Sequence, residues 1–365
     1  MTDHEQIMRR CLDNAQQAQN RVAPNPMVGA CLVHDGRIIA EGIHEAYGQP
    51  HAEVHAIRQV TDAEILSRST LYVTLEPCSH HGKTPPCADL VIKSGIRSVV
   101  VATGDPNPRV AGQGIQRLRE HGISVVENIL AEEARFLNRR FFTAHMRQRP
   151  YIILKWAQTS DGFTARRDFS SRWISGEHSR QLVHEWRAEE QAILIGGHTA
   201  VVDNPQLTVR HTRGRNPLRL VIDSKGSLPA ALSLWNAEAP TICYTIAERR
   251  AYGCEEVVPL KKELPFLPQI LNHLHERKVQ SVLVEGGTKI HQQFINQNLW
   301  DEARIFTAPA TFGEGIPAPV LPAVHTASET LLADITQQSG EDQLEKRFNP
   351  TLKTILTFQQ NSSPE

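Results

Sequence analysis

The feature that most restricts how this chain can fold is a set of four side chains that lie far apart in sequence and can act only together. His51-Ala52-Glu53 opens the stretch; Pro77-Cys78 and Pro86-Cys87 close it. An imidazole, two thiolates and a nearby carboxylate are the parts of a hydrolytic zinc site, in which the metal takes a tetrahedron of ligands and leaves one corner for water. Three protein ligands meet that requirement: His51, Cys78 and Cys87. Glu53 is then free for general acid and base work. Between them, residues 70–75 are β-branched and aromatic enough for a buried strand, so the chain must cross the domain and return. Two residues apart on a helix means about 200° of rotation, so His51 and Glu53 can serve one site only if His51 stands at the first turn. Pro50 supports a helix start there. Cys87 stands at the front of a short helix over 88–94 that Gly95 ends, where the helix dipole favours thiolate. Both helices then aim their positive ends at the metal, which suits a bound water that must lose a proton near neutral pH.

A closed structural site, with His80 or His81 as fourth ligand, is the alternative. It gives Glu53 no task, and structural Cys and His ligands usually come in close pairs. His55 lies four residues after His51, but the His-Glu-x-x-His pattern would misplace the glutamate and leave both cysteines unused, so His55 reads as structural.

The length of 365 residues suggests about two domains. Apolar content of 40% and charged content of 22% are globular values that allow sizeable cores. A net charge of -1 supplies no electrostatic footprint for nucleic acid. The remaining cysteines, Cys11, Cys31, Cys243 and Cys254, show no disulfide-like spacing and read as buried thiols in a reducing compartment. The first residues are neither basic nor apolar, and no segment is apolar for long enough to span a bilayer. The expectation is a soluble, cytoplasmic protein.

In the first half, residues 3–20 repeat apolar side chains at helical spacing, with Thr2 or Asp3 as cap. A Pro-rich turn at 23–29 leads into a strand at 28–33, a hairpin turn at Asp35-Gly36 and a return strand at 37–42. A helix over 51–60, a strand over 97–103 and a helix over 112–121 complete a β-α-β alternation that implies a three-layer α/β domain. Asn25, just before a central strand, either reads the edge of a heterocycle or only caps its turn. Gly104-Asp105-Pro106-Asn107-Pro108 follows a strand's C-terminal end, where ligand contacts concentrate. One helix is expected over 131–145, and a boundary near Pro150. That divides the chain into domains over 1–149 and 150–358 and a disordered tail over 359–365.

The second half is again β/α. Strands are expected at 151–156, 192–195, 218–223, 241–244 and 281–284, and helices at 179–190, 267–277 and 289–296. No G-x-G-x-x-G fingerprint appears, so an ordinary Rossmann domain is not expected. Val284-Glu285-Gly286-Gly287-Thr288-Lys289-Ile290 runs a buried strand through two glycines into a helix, a geometry that binds phosphate or is a plain turn. Residues 203–210 form a polar loop around Leu207, and Arg187 and Arg210 can each grip a phosphate bidentately.

The order His-x-Glu, Pro-Cys, Cys is the signature of the zinc deaminases, with the usual Cys-x-x-Cys opened here by residues 79–86. PNPMVGA, HAEVHA, EPCSHHGKTPPC, GDPNP, LKWAQTSDG, DNPQLTVR and VEGGTKI then follow in order. By these the chain resembles the bifunctional deaminase–reductase family of riboflavin biosynthesis from about residue 5 to about residue 330, opened cysteine pair included. The resemblance implies a cytidine-deaminase-like three-layer domain, then a dihydrofolate-reductase-like domain that uses NADPH. By it His51, Cys78 and Cys87 hold Zn2+ and Glu53 shuttles protons. Ser171, Arg187, Leu207, Arg210 and Glu285 line the ribosyl-phosphate substrate, with Lys155 beside them. Ala157, Trp173, Thr199, Asp203 and the Gly287 turn with Thr288 and Lys289 meet NADPH. Asp203 either handles a proton there or caps the turn before Pro205. Gly196-Gly197-His198 stands where small polar residues are more usual. The implied reactions are hydrolytic deamination of a diaminohydroxyphosphoribosylaminopyrimidine and reduction of its ribosyl group to ribityl. The implied partners are small phosphoribosyl pyrimidines, with oligomeric state left open. Two rivals remain: a nucleic-acid-editing deaminase, which wants a basic groove, and a zinc-stabilised scaffold, which binds no NADPH.

Overall fold

The computed structural model describes residues 2–79, 85–108, 110–168, 174–247, 253–322, 331–332 and 334–358. Two compact units divide between Arg147 and Gln148 and again between Leu352 and Lys353. The expected boundary near Pro150 lies close to the first division. The second was not expected: helix Lys353–Leu356 belongs with the first unit, where Arg135 Nη1 donates to the Leu356 carbonyl and Phe358 meets Phe142 edge-on, 6.2 Å between ring centroids. Local pattern cannot reveal which unit a returning segment rejoins. The tail at 359–365 lies outside the described residues.

The first unit runs α1 (Asp3–Gln16), β1 (Gly29–His34), β2 (Arg37–Ile43), α2 (Ala52–Arg58), α3 (Ala63–Ser67), β3 (Thr70–Val73), α4 (Cys87–Lys93), β4 (Ser98–Val101), α5 (Gln113–Glu120), β5 (Ser124–Val126), α6 (Ala131–Leu137) and α7 (Arg139–Arg147). Thr2 and Glu5 close a reciprocal capping box at the start of α1. Asp35 and Gly36 both take positive φ, which lets a two-residue hairpin join β1 to β2. The sheet order is β2-β1-β3-β4-β5, with β3, β4 and β5 parallel and β1 antiparallel to both neighbours. Alternation on β1 makes the three layers. Ala30 and Leu32 pack with Ala52, Ala56, Val91 and Leu118 of α2, α4 and α5. Cys31 and Val33 pack with Met8, Cys11 and Leu12 of α1 and Ala134 of α6 on the other face.

The helix expected over 131–145 is two helices, parted at Asn138. The buried amide of Asn138 accepts from Met27 N at 2.8 Å and donates to Met27 O at 2.9 Å, clasping the turn that precedes β1. Asn competes with helical hydrogen bonding in this way, and the apolar periodicity across 131–145 conceals it. A second buried side chain works at the same end of the sheet, where β3 leaves beside the start of β1. Glu76 accepts from the backbone amides of Gly114 (2.9 Å), Gly112 (3.0 Å), Asp105 (3.2 Å) and Ile115 (3.3 Å), so it caps α5 and ties that helix to the loop leaving β3. Gly114 permits the approach: a Cβ there would stand 1.9 Å from Pro77 O.

The second unit runs β6 (Tyr151–Thr159), β7 (Phe163–Ala165), α8 (Glu177–Glu189), β8 (Ala192–Gly196), α9 (Gly197–Asp203), β9 (Leu218–Ile222), β10 (Thr241–Thr245), β11 (Glu256–Pro259), α10 (Phe266–Glu276), β12 (Ser281–Val284), α11 (Thr288–Asn296), β13 (Glu302–Ala308), β14 (Ile316–Pro317), β15 (Ile335–Ser339) and β16 (Asp342–Phe348). Its main sheet has nine strands in the order β11-β10-β9-β8-β12-β6-β13-β16-β15. The run from β11 to β13 is parallel, and β16 and β15 close it antiparallel. Ala192 and Leu194 of β8 pack with α10 and α11; Ile193 and Ile195 pack with Ala200, Leu207 and Leu234 on the other face. Helix α9 was not expected: Asp203 ends it rather than sitting in a loop. Asn204 takes the left-handed conformation at the C-cap, which Asn tolerates, and Pro205 prevents continuation. Among the described residues no helix is long and apolar enough to cross a membrane.

The described tryptophans, Trp156, Trp186, Trp235 and Trp300, lie in the second unit, so tryptophan fluorescence reports that unit's unfolding while far-ultraviolet circular dichroism reports both. Asn138→Ala should destabilise the first unit by about 2 kcal/mol, because two buried backbone groups lose partners. Glu76→Ala, which orphans four amides, should cost at least about 3 kcal/mol. Urea titration should show both losses by circular dichroism and neither by fluorescence.

Candidate functional site

In the first unit His51 is the extended N-cap of α2 and Glu53 lies in the first helical turn, so both side chains reach one point, as the two-residue spacing requires. Cys87 is the first residue of α4. Cys78 stands in the loop after β3 that Glu76 ties down. The ligand atoms of His51, Cys78 and Cys87 all lie within 4.8 Å of one another. His51 Nδ1 is 3.2 Å from Cys87 Sγ and 3.6 Å from Cys78 Sγ. Zinc–ligand distances of about 2.0–2.3 Å at tetrahedral angles put ligand atoms roughly 3.5–3.8 Å apart, so the set fits that metal with little movement.

The electrostatics favour one thiolate at once. The Cys87 thiol and amide and the His51 ring pull the Cys78 thiol down to about 4, and the amide donates at 3.3 Å. Cys87, beside that charge and buried, is pushed up. His51 is raised, chiefly by its bond to Cys78; the farther sulfur matters more because it carries the charge. Glu53 is 3% exposed, burial pushes its carboxyl up, and its Oε2 has no hydrogen-bond partner among the described residues. A buried unpartnered oxygen beside three converging ligands is what a proton shuttle needs. His80 and His81, the alternative fourth ligands, lie outside the described residues.

Asn25 joins this site through His44. His44 Nδ1 faces Pro50 O at 3.1 Å, so that nitrogen carries the proton, and Nε2 accepts from Asn25 Nδ2 at 3.1 Å. The His44 ring meets His51 edge-on at 5.3 Å. Asp105, in the loop after β4, was singled out only as part of its motif. Its carboxyl is pushed up to about 7 by burial, with Glu76 and Cys78 adding to the effect. Glu76 was missed outright; its only sequence signal is its place in Glu76-Pro77-Cys78.

In the second unit Val284 pairs in register with Leu154, and both face the same core. Their successors Glu285 and Lys155 therefore face the other side, toward α8. There Arg187 Nε and Nη2 donate to both Glu285 oxygens at 2.7 Å, and Nη1 donates to Thr208 O at 3.3 Å. The fork expected to grip a phosphate is thus closed on Glu285. Burial opposes ionisation of Glu285, but Arg187, with Lys155, holds its pKa below the usual range. Burial also lowers Lys155, partly offset by Glu285, and its Nζ stands 5.9 Å from the Phe306 ring centre. Leu207 is buried at positive φ, and Arg210 is exposed, donating to Gln206 Oε1 and Thr208 Oγ1.

Gly287 caps α11 at φ 81, a backbone that L side chains rarely adopt. Thr199 packs against Gly286, where a Cβ would stand 2.8 Å from its Cγ2. Thr288 Oγ1 meets Thr164 Oγ1 at 3.2 Å, and Lys289 and Asp203 are exposed. Ala157 is half-buried on β6 opposite Phe306 of β13. A glycine turn opening a 9-residue helix beside Thr199 fits the phosphates of a dinucleotide. Ser171 and Trp173 lie outside the described residues.

Residues 1–103 match the cytidine and deoxycytidylate deaminase zinc-binding region, and residues 150–337 match the RibD C-terminal domain. The chain is 42% identical over 316 residues to the riboflavin biosynthesis protein RibD of Aquifex aeolicus, covering 85% of this chain and 88% of that one. To the protein of the same name from Bacillus amyloliquefaciens it is 39% identical over 326 residues, covering 87% of each. Among solved structures it is similar to a diaminohydroxyphosphoribosylaminopyrimidine deaminase/5-amino-6-(5-phosphoribosylamino)uracil reductase from Thermotoga maritima. The TM-score is 0.83 at 39% identity, over 95% of this chain and 99% of that one. Acinetobacter baumannii RibD gives 0.82 at 33% identity, over 95% and 98%. With a zinc-deaminase region in its first half and the reductase domain in its second, the chain belongs to the bifunctional deaminase–reductase family of riboflavin biosynthesis.

Proposed function

We propose that the first unit deaminates diaminohydroxyphosphoribosylaminopyrimidine and that the second reduces the product, 5-amino-6-(5-phosphoribosylamino)uracil, with NADPH. The observation that carries this reading is the convergence of His51, Cys78 and Cys87 within 4.8 Å, with the unpartnered Oε2 of buried Glu53 close by. His51, Cys78 and Cys87 would hold zinc, which would supply an acidified water for the attack. Glu53 would accept a proton from the attacking water as its oxygen adds to the ring carbon and return it to the exocyclic nitrogen, which leaves as ammonia. Its raised pKa suits both halves of the exchange. Asn25, its Nδ2 held by His44, presents Oδ1 as an acceptor for an N–H on the edge of the pyrimidine.

NADPH held in the second unit would supply the hydride that, with one proton, converts the ribosyl group to ribityl. The Gly286-Gly287 turn, Thr199 and the first amides of α11 would hold its phosphates, with Ala157, Asp203, Thr288 and Lys289 around them. Glu285, kept ionised by Arg187, accepts from the ribosyl hydroxyls, and Lys155 donates beside it. Arg210 takes the substrate's phosphate, since its guanidinium has only neutral acceptors and no salt-bridge partner among the described residues. The same small-molecule chemistry fits the net charge of -1.

Glu53→Gln should lower ammonia release by at least about a hundredfold while leaving bound zinc unchanged. NADPH oxidation on substrate that is already deaminated should stay at the wild-type rate. A chelator should remove ammonia release and spare NADPH oxidation. Wild-type ammonia release by Glu53→Gln would dismiss the proton-shuttle role, and a chelator-sensitive reduction would dismiss the division of labour.

A further inference from the structure

We propose that His184 is a positioning residue for the reductase reaction, holding the backbone of Arg210 so that its guanidinium is aimed before substrate arrives. The inference rests on the reading of Arg210 as the group that takes the phosphate. Residues 206–210 lie in no strand, yet each end of the segment is gripped by a side chain. Arg219 Nη1 donates to Gln206 O at 3.3 Å, Arg187 Nη1 to Thr208 O at 3.3 Å, and Val209 N donates to Asn216 Oδ1 at 2.8 Å. Arg210 N donates to His184 Nδ1 at 3.3 Å. A partly buried segment outside any ladder must satisfy its amides and carbonyls this way, and Leu207, buried at positive φ, anchors its middle.

Of the four grips, only that of His184 falls on the residue that carries the guanidinium. His184 lies on α8, three residues before Arg187, so the helix that fixes Glu285 also fixes Arg210. Its ring is 5% exposed and meets His211 edge-on at 4.6 Å, which steadies the position after Arg210 as well. An accepting Nδ1 requires the neutral ring with its proton on Nε2. Burial, with Arg187, Arg210 and His211 nearby, pulls its pKa down to about 4, which keeps that lone pair available. Without this bond the Arg210 loop must be ordered during binding, so the loss falls on affinity rather than on the chemical step.

The test is steady-state reduction by the full chain, with wild type compared to His184→Leu, His184→Asn and Arg210→Ala. Substrates are 5-amino-6-(5-phosphoribosylamino)uracil and its dephosphorylated riboside, and ammonia release by each preparation normalises for folded protein. His184→Leu should raise KM for the phosphorylated substrate roughly tenfold at nearly constant kcat. Its preference for phosphorylated substrate over riboside should fall by the same factor. His184→Asn, whose Oδ1 stands where Nδ1 stood, should recover most of the loss. If His184→Leu does not fold, His184→Gln, with its acceptor one methylene farther out, must show the selective rise in KM. A raised KM in Arg210→Ala beside a wild-type KM in His184→Leu would overturn the role of His184 and leave that of Arg210. A wild-type KM in Arg210→Ala would overturn both. Equal losses on substrate and riboside, unrecovered by His184→Asn, would reduce His184 to a structural residue and overturn the proposal.

Discussion

The hydrogen bonds of Glu76 are the constraint on which the metal centre depends. Cys78 lies in a loop, which has no ladder to hold it, while His51 and Cys87 are built into helix starts. A ligand set converging within 4.8 Å is only as good as its least fixed member. One carboxylate gathering amides from Asp105, Gly112, Gly114 and Ile115 converts that loop into part of α5, and the missing Cβ of Gly114 lets Pro77 close on the helix. Outer groups of this kind orient ligands and tune their affinity. Asn138 does the same for the turn that carries Asn25, through both atoms of its amide.

The second unit reaches precision by other means. Lys155, Glu285 and Arg187 bring a carboxylate and two cations to the C-terminal ends of parallel strands, where open α/β sheets bind ligands. A buried carboxylate without a cation would take up a proton. The two-bond grip of Arg187 prevents this, and breaking such a pair leaves a buried charge at a cost of about 3–5 kcal/mol.

Much of this was legible because the sequence carries local rules. The zinc ligands and Glu53 announce themselves by spacing, and the extended N-cap conformation of His51 follows from the geometry that a two-residue gap demands. The nine strands expected from β-branched and apolar runs appear within about three residues of their observed ends, but β5, β11, β13, β15 and β16 were not expected. What escaped is long-range. The apolar stripe over 131–145 looks continuous because the clasp on Met27 lies 111 residues away. Helix Lys353–Leu356 could not be assigned to the first unit, since its contacts lie more than two hundred residues upstream. Helix α9 hid behind Gly196-Gly197, which depresses helix propensity. Glu76 looked like an ordinary acid before a proline, because its partners are backbone amides, which no side-chain pattern encodes.

Arg187 shows why residue type alone does not fix a role. A guanidinium near a glycine turn suggests a phosphate, and the resemblance placed it against substrate. In the fold its planar fork meets the carboxylate of Glu285, the geometry in which arginine is strongest and least replaceable by lysine. Its remaining reach goes to Thr208 O, so it shapes the Arg210 loop as well. The consequence is chemical. An ionised Glu285 offers only acceptors, which suits the hydroxyls of a sugar. On the proposed reading the anionic end of the substrate goes to Arg210, whose hydrogen-bond acceptors are neutral while Arg187, Glu238 and Glu285 act on it through space. On the proposed reading, this ion pair sets where the hydroxyls of the sugar are met.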